Sequence, residues 1–507
     1  FLDPACGCGN FLVIAYRELR LLELEVLRAA YAGGQRLLDV HQLIALDVDQ
    51  FHGIEIEEFP AQIAQVALWL VDHQLNLRVS AEFGQYFARI PLKATPHIVH
   101  GNALRLDWAE VLAPQNCAYM LSNPPFLGKK EQSAAQKADF KPVMASIKGA
   151  GVLDYVAAWY VLAIRYAKRA NASAPRIGYV STNSIAQGEQ VGILWSWLLA
   201  QGARIDFAHR TFKWSNEARG VAAVHCVIVG FGLGDSAAPK RLFEYEDVRA
   251  EPHVAAASSI NPYLVDAPDV LLLKRERPIC AVSPMTEGSA LIDDGHFLLT
   301  HDEADELKRR YPVTASWLRR LYSGDDFING RHRWCLWLAD ASPPQLRGCP
   351  PVLDRIEQVR RFRGASARDA TRALAAVPSL FGEARQPEGA YIFVPKTSSE
   401  RRAFIPIGFM PAHALINNTS LFIDAGTVFE FGVLCSTMHN AWVRYTCGRL
   451  KSDFRYSAAI VYNNFPWPEA PTDAQRAAVE TAAQGVLDAR AAFPGSTLAD
   501  LYDPLTM

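Results

Sequence analysis

At 507 residues, half of them apolar and 21% charged, the chain is too long for one ordinary domain and apolar enough to bury sizeable cores. This excludes a disordered or fibrous protein and sets two or three domains as the expectation. The formal net charge of −2 argues neither for nor against a nucleic-acid partner, because the local distribution of charge matters more than the total.

Residues 1 to about 235 alternate short apolar runs with longer amphipathic segments. Strands are expected at Leu43–Leu46, His52–Ile56, His97–His100, Tyr119–Ser122, Arg176–Ser181, Arg204–His209 and Val221–Gly230. Helices are expected between them, among others at Phe11–Ala30, Pro60–Leu75 and Tyr155–Arg169. The alternation predicts a doubly wound α/β sheet over residues 1–235. Pro, Ala and Ser then become frequent, which reads as a linker over 236–269. Residues 270–470 are richer in Arg and Trp and more irregular, an α+β second domain closed by Pro466-Trp467-Pro468. Residues 471–507 are Ala-rich, with apolar positions at helical spacing from Thr472 to Ala492, and read as a small helical tail. The nine cysteines are scattered and form no CxxC pair, which indicates neither a metal site nor a disulfide framework and fits a reduced, cytoplasmic setting. The longest apolar stretch, Val221 to Gly232, is broken by His225 and too short to span a membrane. The chain begins at Phe1, inside a motif, so a preceding segment is expected.

Four motifs carry chemistry. The first is DPACGCGNFL, residues 3–12. Its glycines Gly7 and Gly9 allow a sharp turn and close approach of backbone to a ligand. A helix beginning near Asn10 and Phe11 then aims free N–H groups at the same place. The Gly-x-Gly spacing differs from the dinucleotide pattern. With Asp3 four positions before the first glycine, it suits a ligand with an amino-acid end whose ammonium Asp3 can accept from. Ala5 and Cys6 complete this cofactor-binding turn. The second motif is Gly53-Ile54-Glu55-Ile56. An acidic residue at the end of a second strand is placed to take the two ribose hydroxyls of a nucleoside, with Ile56 beside it. The third is Gly101-Asn102-Ala103-Leu104, where a polar side chain can bond an adenine ring. The fourth is Asn123-Pro124-Pro125-Phe126. Its prolines stiffen the backbone, so that the Asn123 amide oxygen and a main-chain carbonyl can accept from an exocyclic amino group and ready its nitrogen to attack a methyl sulfonium. Phe126 offers a stacking face for a base taken out of its duplex, and Phe212 and Trp214 are candidates for a second face.

The order DPACGCGNF, GIEI, GNAL, NPPF resembles the gamma-type amino-methyltransferases of DNA. A closer resemblance is to the MmeI-like family of single-chain restriction-modification enzymes. It extends through GVLDYVAAWY (151–160), STNSIAQGEQVGILW (181–195), FKWSNEA (212–218), YSGDDFINGRHRWCLWL (322–338), SSERRAFIPIGF (398–409) and STMHNAWVRYTCGRLKSDFRYSAAIVYNNFPWPE (436–469), and so covers nearly the whole chain. It implies a class I S-adenosylmethionine-dependent methyltransferase sheet followed by a DNA target-recognition domain. The implied activity is methylation of adenine in double-stranded DNA by a bacterial, cytoplasmic enzyme, monomeric on its site. In that family a nuclease domain and a helical connector precede the methyltransferase. Asn102 departs from the pattern, since many related methyltransferases carry Asp there.

The charge distribution points the same way. Between 301 and 460 there are 22 Lys and Arg against 16 Asp and Glu, a local surplus of six in an acidic chain. Arg331, Arg333, Arg401, Arg402, Arg449, Lys451 and Arg455 lie among aromatic residues, a mixture suited to phosphate contacts and base-edge readers. Lys451 and Asp453 are two apart, so an extended segment presents both on one face. One is a donor only and the other, ionised, an acceptor only, as needed for the guanine and cytosine of one base pair. The resemblance implies that these positions set the base just beyond the target adenine. Three alternatives stay open: an amino-methyltransferase of cytosine, one of protein glutamine, and a catalytically dead DNA-specificity module.

Overall fold

The structure is a computed structural model that describes residues 1–31, 43–84, 86–87, 95–170, 174–214, 224–245, 251–450 and 452–505. The chain divides into two units, Phe1–Leu271 and Leu272–Met507.

The strands of the first unit are β1 (Leu2–Asp3), β2 (His52–Glu55), β3 (His97–His100), β4 (Tyr119–Ser122), β5 (Arg176–Thr182), β6 (Ala203–Trp214), β7 (Val224–Leu233), β8 (Lys240–Glu244) and β9 (His253–Ala257). They form one sheet in the order β3-β2-β1-β4-β5-β7-β6-β8-β9. The first five are mutually parallel, while β7 runs antiparallel to both β5 and β6. The connecting helices are α1 (Asn10–Tyr31), α2 (Glu58–Phe83), α3 (Trp108–Val111), α4 (Ala134–Val143), α5 (Ala157–Ala167) and α6 (Glu189–Ala200). This is the doubly wound α/β sheet that the alternation predicts. Helix α5 is apolar almost all round and is buried at nine of its eleven positions, as a helix enclosed between layers must be. Its Tyr160 ring stacks on Phe231 of β7 with centroids 4.9 Å apart.

Two expectations change. Leu43–Leu46 is not a strand; the N–H groups of Ala45 and Leu46 donate to Glu23 Oε1 at 2.7 and 3.2 Å instead of to a neighbouring strand. Glu23 is held in turn by Arg20, part of a buried polar network in which Arg20 also meets Asn76, and Asn76 and Tyr16 meet Asp72. The sheet starts instead at the two-residue β1. Within the stretch that composition reads as a linker, β8 and β9 extend the sheet.

The order reverses between β1 and β4, and crevices at the C-terminal ends of strands flanking such a switch are where open α/β sheets bind ligands. All four motifs leave the sheet there, from the ends of β1, β2, β3 and β4.

The second unit holds two four-stranded sheets and a three-stranded one. Its first core lies around Ile392, Ile423, Phe431, Leu434 and Tyr462, and its second around Phe297, Leu321, Cys335 and Val359. Arg363 of helix Pro350–Gly364 is fully buried and donates to the carbonyls of Leu291, Ile292, Leu374, Val377 and Leu380. The helix Asp473–Ala491 is opened by a capping box between Thr472 and Gln475. Among the described residues no helix is long and apolar enough to cross a membrane.

Candidate active site

The turn after β1 depends on its glycines. Gly7 and Gly9 have φ of +55° and +82°, which L side chains rarely adopt. A Cβ on Gly9 would also lie 2.9 Å from Ala64 Cβ of α2, so the turn is pressed against that helix. Glu55 at the end of β2 pins the same turn. Its Oε2 accepts from the Gly7 N–H at 2.9 Å and its Oε1 from the Glu57 N–H at 3.0 Å. The Cys6 N–H donates to the Ile54 carbonyl at 3.1 Å, and Cys6 is buried beneath the turn. Asn10 then opens α1, exposed, with Phe11 half-buried behind it.

Asp3 lies under this turn, 1% exposed. Its Oδ1 accepts from Ser122 Oγ at 2.6 Å and from the Ala5 N–H at 3.0 Å. Burial pushes its carboxyl up to about 7, with nearby Glu55 adding to the rise and the two hydrogen bonds opposing it. The Asp3–Ser122 bond ties the β1 turn to the end of β4, where the Asn-Pro-Pro-Phe loop begins. Helix α5 and the residues that lead into it brace both: Trp159 Nε1 donates to the Pro4 carbonyl at 3.0 Å and the Tyr155 N–H to the Leu127 carbonyl at 2.9 Å.

These loops enclose a cavity of about 620 Å³ lined by Pro4, Ala5, Gly7, Glu55, Ile56, Asn102, Ala103, Asn123 and Pro125, with Asp139, Tyr155 and Trp159 completing the wall. Among the described residues the buried Asn123 Oδ1 has no hydrogen-bond partner. An unpaired buried acceptor costs roughly 1–3 kcal/mol, and such an atom on a cavity-lining residue marks a place for a donor. Ile56 is 56% exposed, an apolar face open to a flat ring. The structure therefore brings together residues from all four motifs. Asp139 is an addition that no motif announced, and Tyr155 and Trp159 come from the stretch GVLDYVAAWY, to which the sequence assigned no place in the site. Phe126 is half-buried beside the cavity loop. Phe212, on β6, stacks on Tyr245 with centroids 5.5 Å apart, and the Trp214 side chain lies outside the described residues.

In the second unit, Arg401, Arg402, Arg449, Asp453 and Arg455 gather on and beside the three-stranded sheet of Thr397–Ser398, Gly448–Leu450 and Asp453–Arg455. Asp453 Oδ1 accepts from the Glu400 N–H at 3.3 Å. Arg401 and Arg455 are exposed. The Arg449 guanidinium packs 3.9 Å over the Phe454 ring and donates to the Ser452 and Arg444 carbonyls. Arg331 and Arg333 belong to a different place, paired with Asp325 at 2.6 Å and Asp326 at 3.1 Å on the turn after Tyr322. Lys451 lies outside the described residues.

Residues 1–244 match the MmeI DNA-methyltransferase domain, 266–469 the MmeI target recognition domain and 471–507 the MmeI C-terminal domain. The solved type IIL restriction-modification enzyme MmeI, determined in complex with DNA, is 53% identical and superposes over the whole chain with a TM-score of 0.90, covering 67% of its own length. The chain belongs to the MmeI family. DNA methyltransferase A of Bacillus subtilis (strain 168) is 37% identical over 511 residues, and the chain spans 56% of its length. The cofactor of an MmeI methyltransferase domain is S-adenosylmethionine, and the cavity fits it: its lining includes a carboxylate at the end of β2, an open apolar face at Ile56 and Asn123, whose Oδ1 has no partner among the described residues.

Proposed function

We propose that this chain transfers a methyl group from S-adenosylmethionine to the exocyclic amino group of adenine in double-stranded DNA. It acts as the modifying part of a restriction-modification system, with the second unit reading the sequence. The observation that carries this is the buried Asn123 Oδ1, without a hydrogen-bond partner among the described residues, on a residue that lines the cavity together with Glu55 and Asn102. Membership of the MmeI family and the DNA bound to the solved relative support DNA as the substrate.

Bound in the cavity, the cofactor supplies an electron-poor methyl carbon on a positively charged sulfur. The chain's own residues place the acceptor of that carbon. A target base inside a duplex cannot reach Asn123, so it must be flipped out, and Phe126, three residues on, offers it a stacking face. Pro124 and Pro125 hold the loop stiff. Asn123 Oδ1 and the Pro124 carbonyl accept the two amino hydrogens, which draws the nitrogen lone pair out of conjugation with the ring and toward the methyl carbon. Asn123 and the Pro124 carbonyl would hold the amino nitrogen toward the methyl group that the cofactor would supply, and the surplus amino proton would leave to water.

Asn123→Ala tests this. Methyl transfer should fall at least about a hundredfold, as when a donor or acceptor of the reacting group is removed. DNA affinity should hold, since phosphate contacts supply most of it. A variant that methylates near the parent rate would overturn the role of Asn123.

A further inference from the structure

We infer that Asp139, not Asn102, is the acceptor that recognises the 6-amino group of the cofactor's adenine, and that Asn102 positions it. This rests on reading the cavity as the S-adenosylmethionine site. Asn102 stands at the end of β3, where the motif places the adenine contact, but both ends of its amide are engaged. Oδ1 accepts from the Leu104 N–H at 2.9 Å and Nδ2 donates to Asp139 Oδ2 at 2.8 Å. Turning the amide over would set its NH₂ against an N–H and its oxygen against a carboxylate, so the network itself fixes the orientation. The Asn102 oxygen closes its own turn and keeps one lone pair, whereas the Asp139 carboxylate keeps two acceptor positions and is the stronger acceptor.

Asp139 reaches the same wall from α4. Its side chain is 10% exposed, lines the cavity and takes the Arg105 Nε on Oδ1 at 2.7 Å. Each oxygen thus carries one hydrogen bond, and a carboxylate has about four acceptor positions in all, so each oxygen retains one. Ala103 lines the same wall, and among the described residues its N–H meets no acceptor. An acceptor beside a donor is what the edge of adenine requires, with its amino group next to the ring acceptor N1. A base with an oxo group at that position would turn an acceptor toward the carboxylate and be rejected. Asn102 stands where many related methyltransferases carry Asp, and the carboxylate enters instead from the helix after the catalytic loop.

The test is titration calorimetry of the full chain with S-adenosylhomocysteine and with its inosine counterpart, which carries oxo in place of the 6-amino group. The parent should bind the adenosine compound at least about a hundredfold tighter. Asp139→Asn should weaken it by about ten- to hundredfold and shrink the preference by more than tenfold, because the amide can donate to an oxo group. A merely structural role would weaken both compounds alike and leave the preference intact, which would overturn the inference. Asn102→Ala keeps the carboxylate and removes its orienting donor together with the acceptor of the Leu104 N–H, so it serves if Asp139→Asn does not fold. It should weaken the adenosine compound more than the inosine one, and equal losses or none would overturn the inference. A parent chain that binds neither compound would refute the cofactor site itself, an outcome distinct from failure of Asp139.

Discussion

The Asp3 carboxyl is a place where cofactor chemistry and stability pull in opposite directions. It is buried, and its folded-state value of about 7 stands well above the ordinary 3.8. Between those values the folded chain binds a proton that the unfolded chain does not. This contribution to stability is therefore complete below the ordinary value and is lost as pH rises through about 7. At about 1.4 kcal/mol per pH unit, the loss is on the order of 4 kcal/mol. Asp3→Asn keeps an oxygen for the Ser122 hydroxyl and the Ala5 N–H and removes the titration. Urea unfolding of parent and variant, followed through Trp159 at pH 5 and at pH 8, should show the variant gaining on the parent by a few kcal/mol at the higher pH. Asp3 lies behind the cavity-lining residues Pro4 and Ala5, and we propose that its carboxyl, when ionised, favours the ammonium of the cofactor's amino-acid end. Affinity of the parent for S-adenosylhomocysteine should rise with pH up to about 7, whereas the variant should bind more weakly and show no such rise. Parallel stability profiles, or a pH-dependent affinity that survives the substitution, would refute the reasoning.

Glu55→Ala removes the acceptor of two main-chain N–H groups and of the proposed ribose contact. Calorimetry should show S-adenosylhomocysteine bound about ten- to hundredfold more weakly. Arg363→Lys leaves at least two of five buried carbonyls without a donor, and urea unfolding should show the second unit destabilised by at least about 3 kcal/mol; a loss under 1 kcal/mol would count against that account. Exchanging the polarity of Lys451 and Asp453, with an acceptor at 451 and Arg at 453, should swap one preferred base pair from G·C to C·G and leave the other positions alone. A bidentate contact discriminates by roughly 1–3 kcal/mol, so methylation of permuted sites will show the change, and an unchanged preference everywhere would exclude the pair as readers.

The parts of the site legible in the sequence were those made by local chain geometry. Gly7 and Gly9 announce their turn because few other residues adopt its φ, and Asn123 announces its loop through the prolines that follow it. What local pattern cannot show is a partner brought from afar. Leu43–Leu46 has the composition of a strand, but Glu23 of α1 takes its N–H groups. Residues 253–257 look like linker because four of the five are exposed, yet an edge strand needs only one neighbour, and β8 supplies it. Asp139 sits in a polar ten-residue helix with a proline inside it, so neither periodicity nor motif marks it. Its importance comes from Asn102, 37 positions earlier. Trp159 lies in the stretch GVLDYVAAWY, but its bond to the Pro4 carbonyl, across 155 positions, is no more visible in local pattern.

The central claim is that the cavity methylates adenine in DNA. Its most direct test is incubation of the chain with double-stranded DNA and S-adenosylmethionine labelled in the methyl group, followed by digestion to nucleosides and separation. The account predicts label in N6-methyladenine, absent when Asn123 is replaced by Ala. Label in methylcytosine or in protein, or no label from a chain that binds both DNA and cofactor, would contradict it.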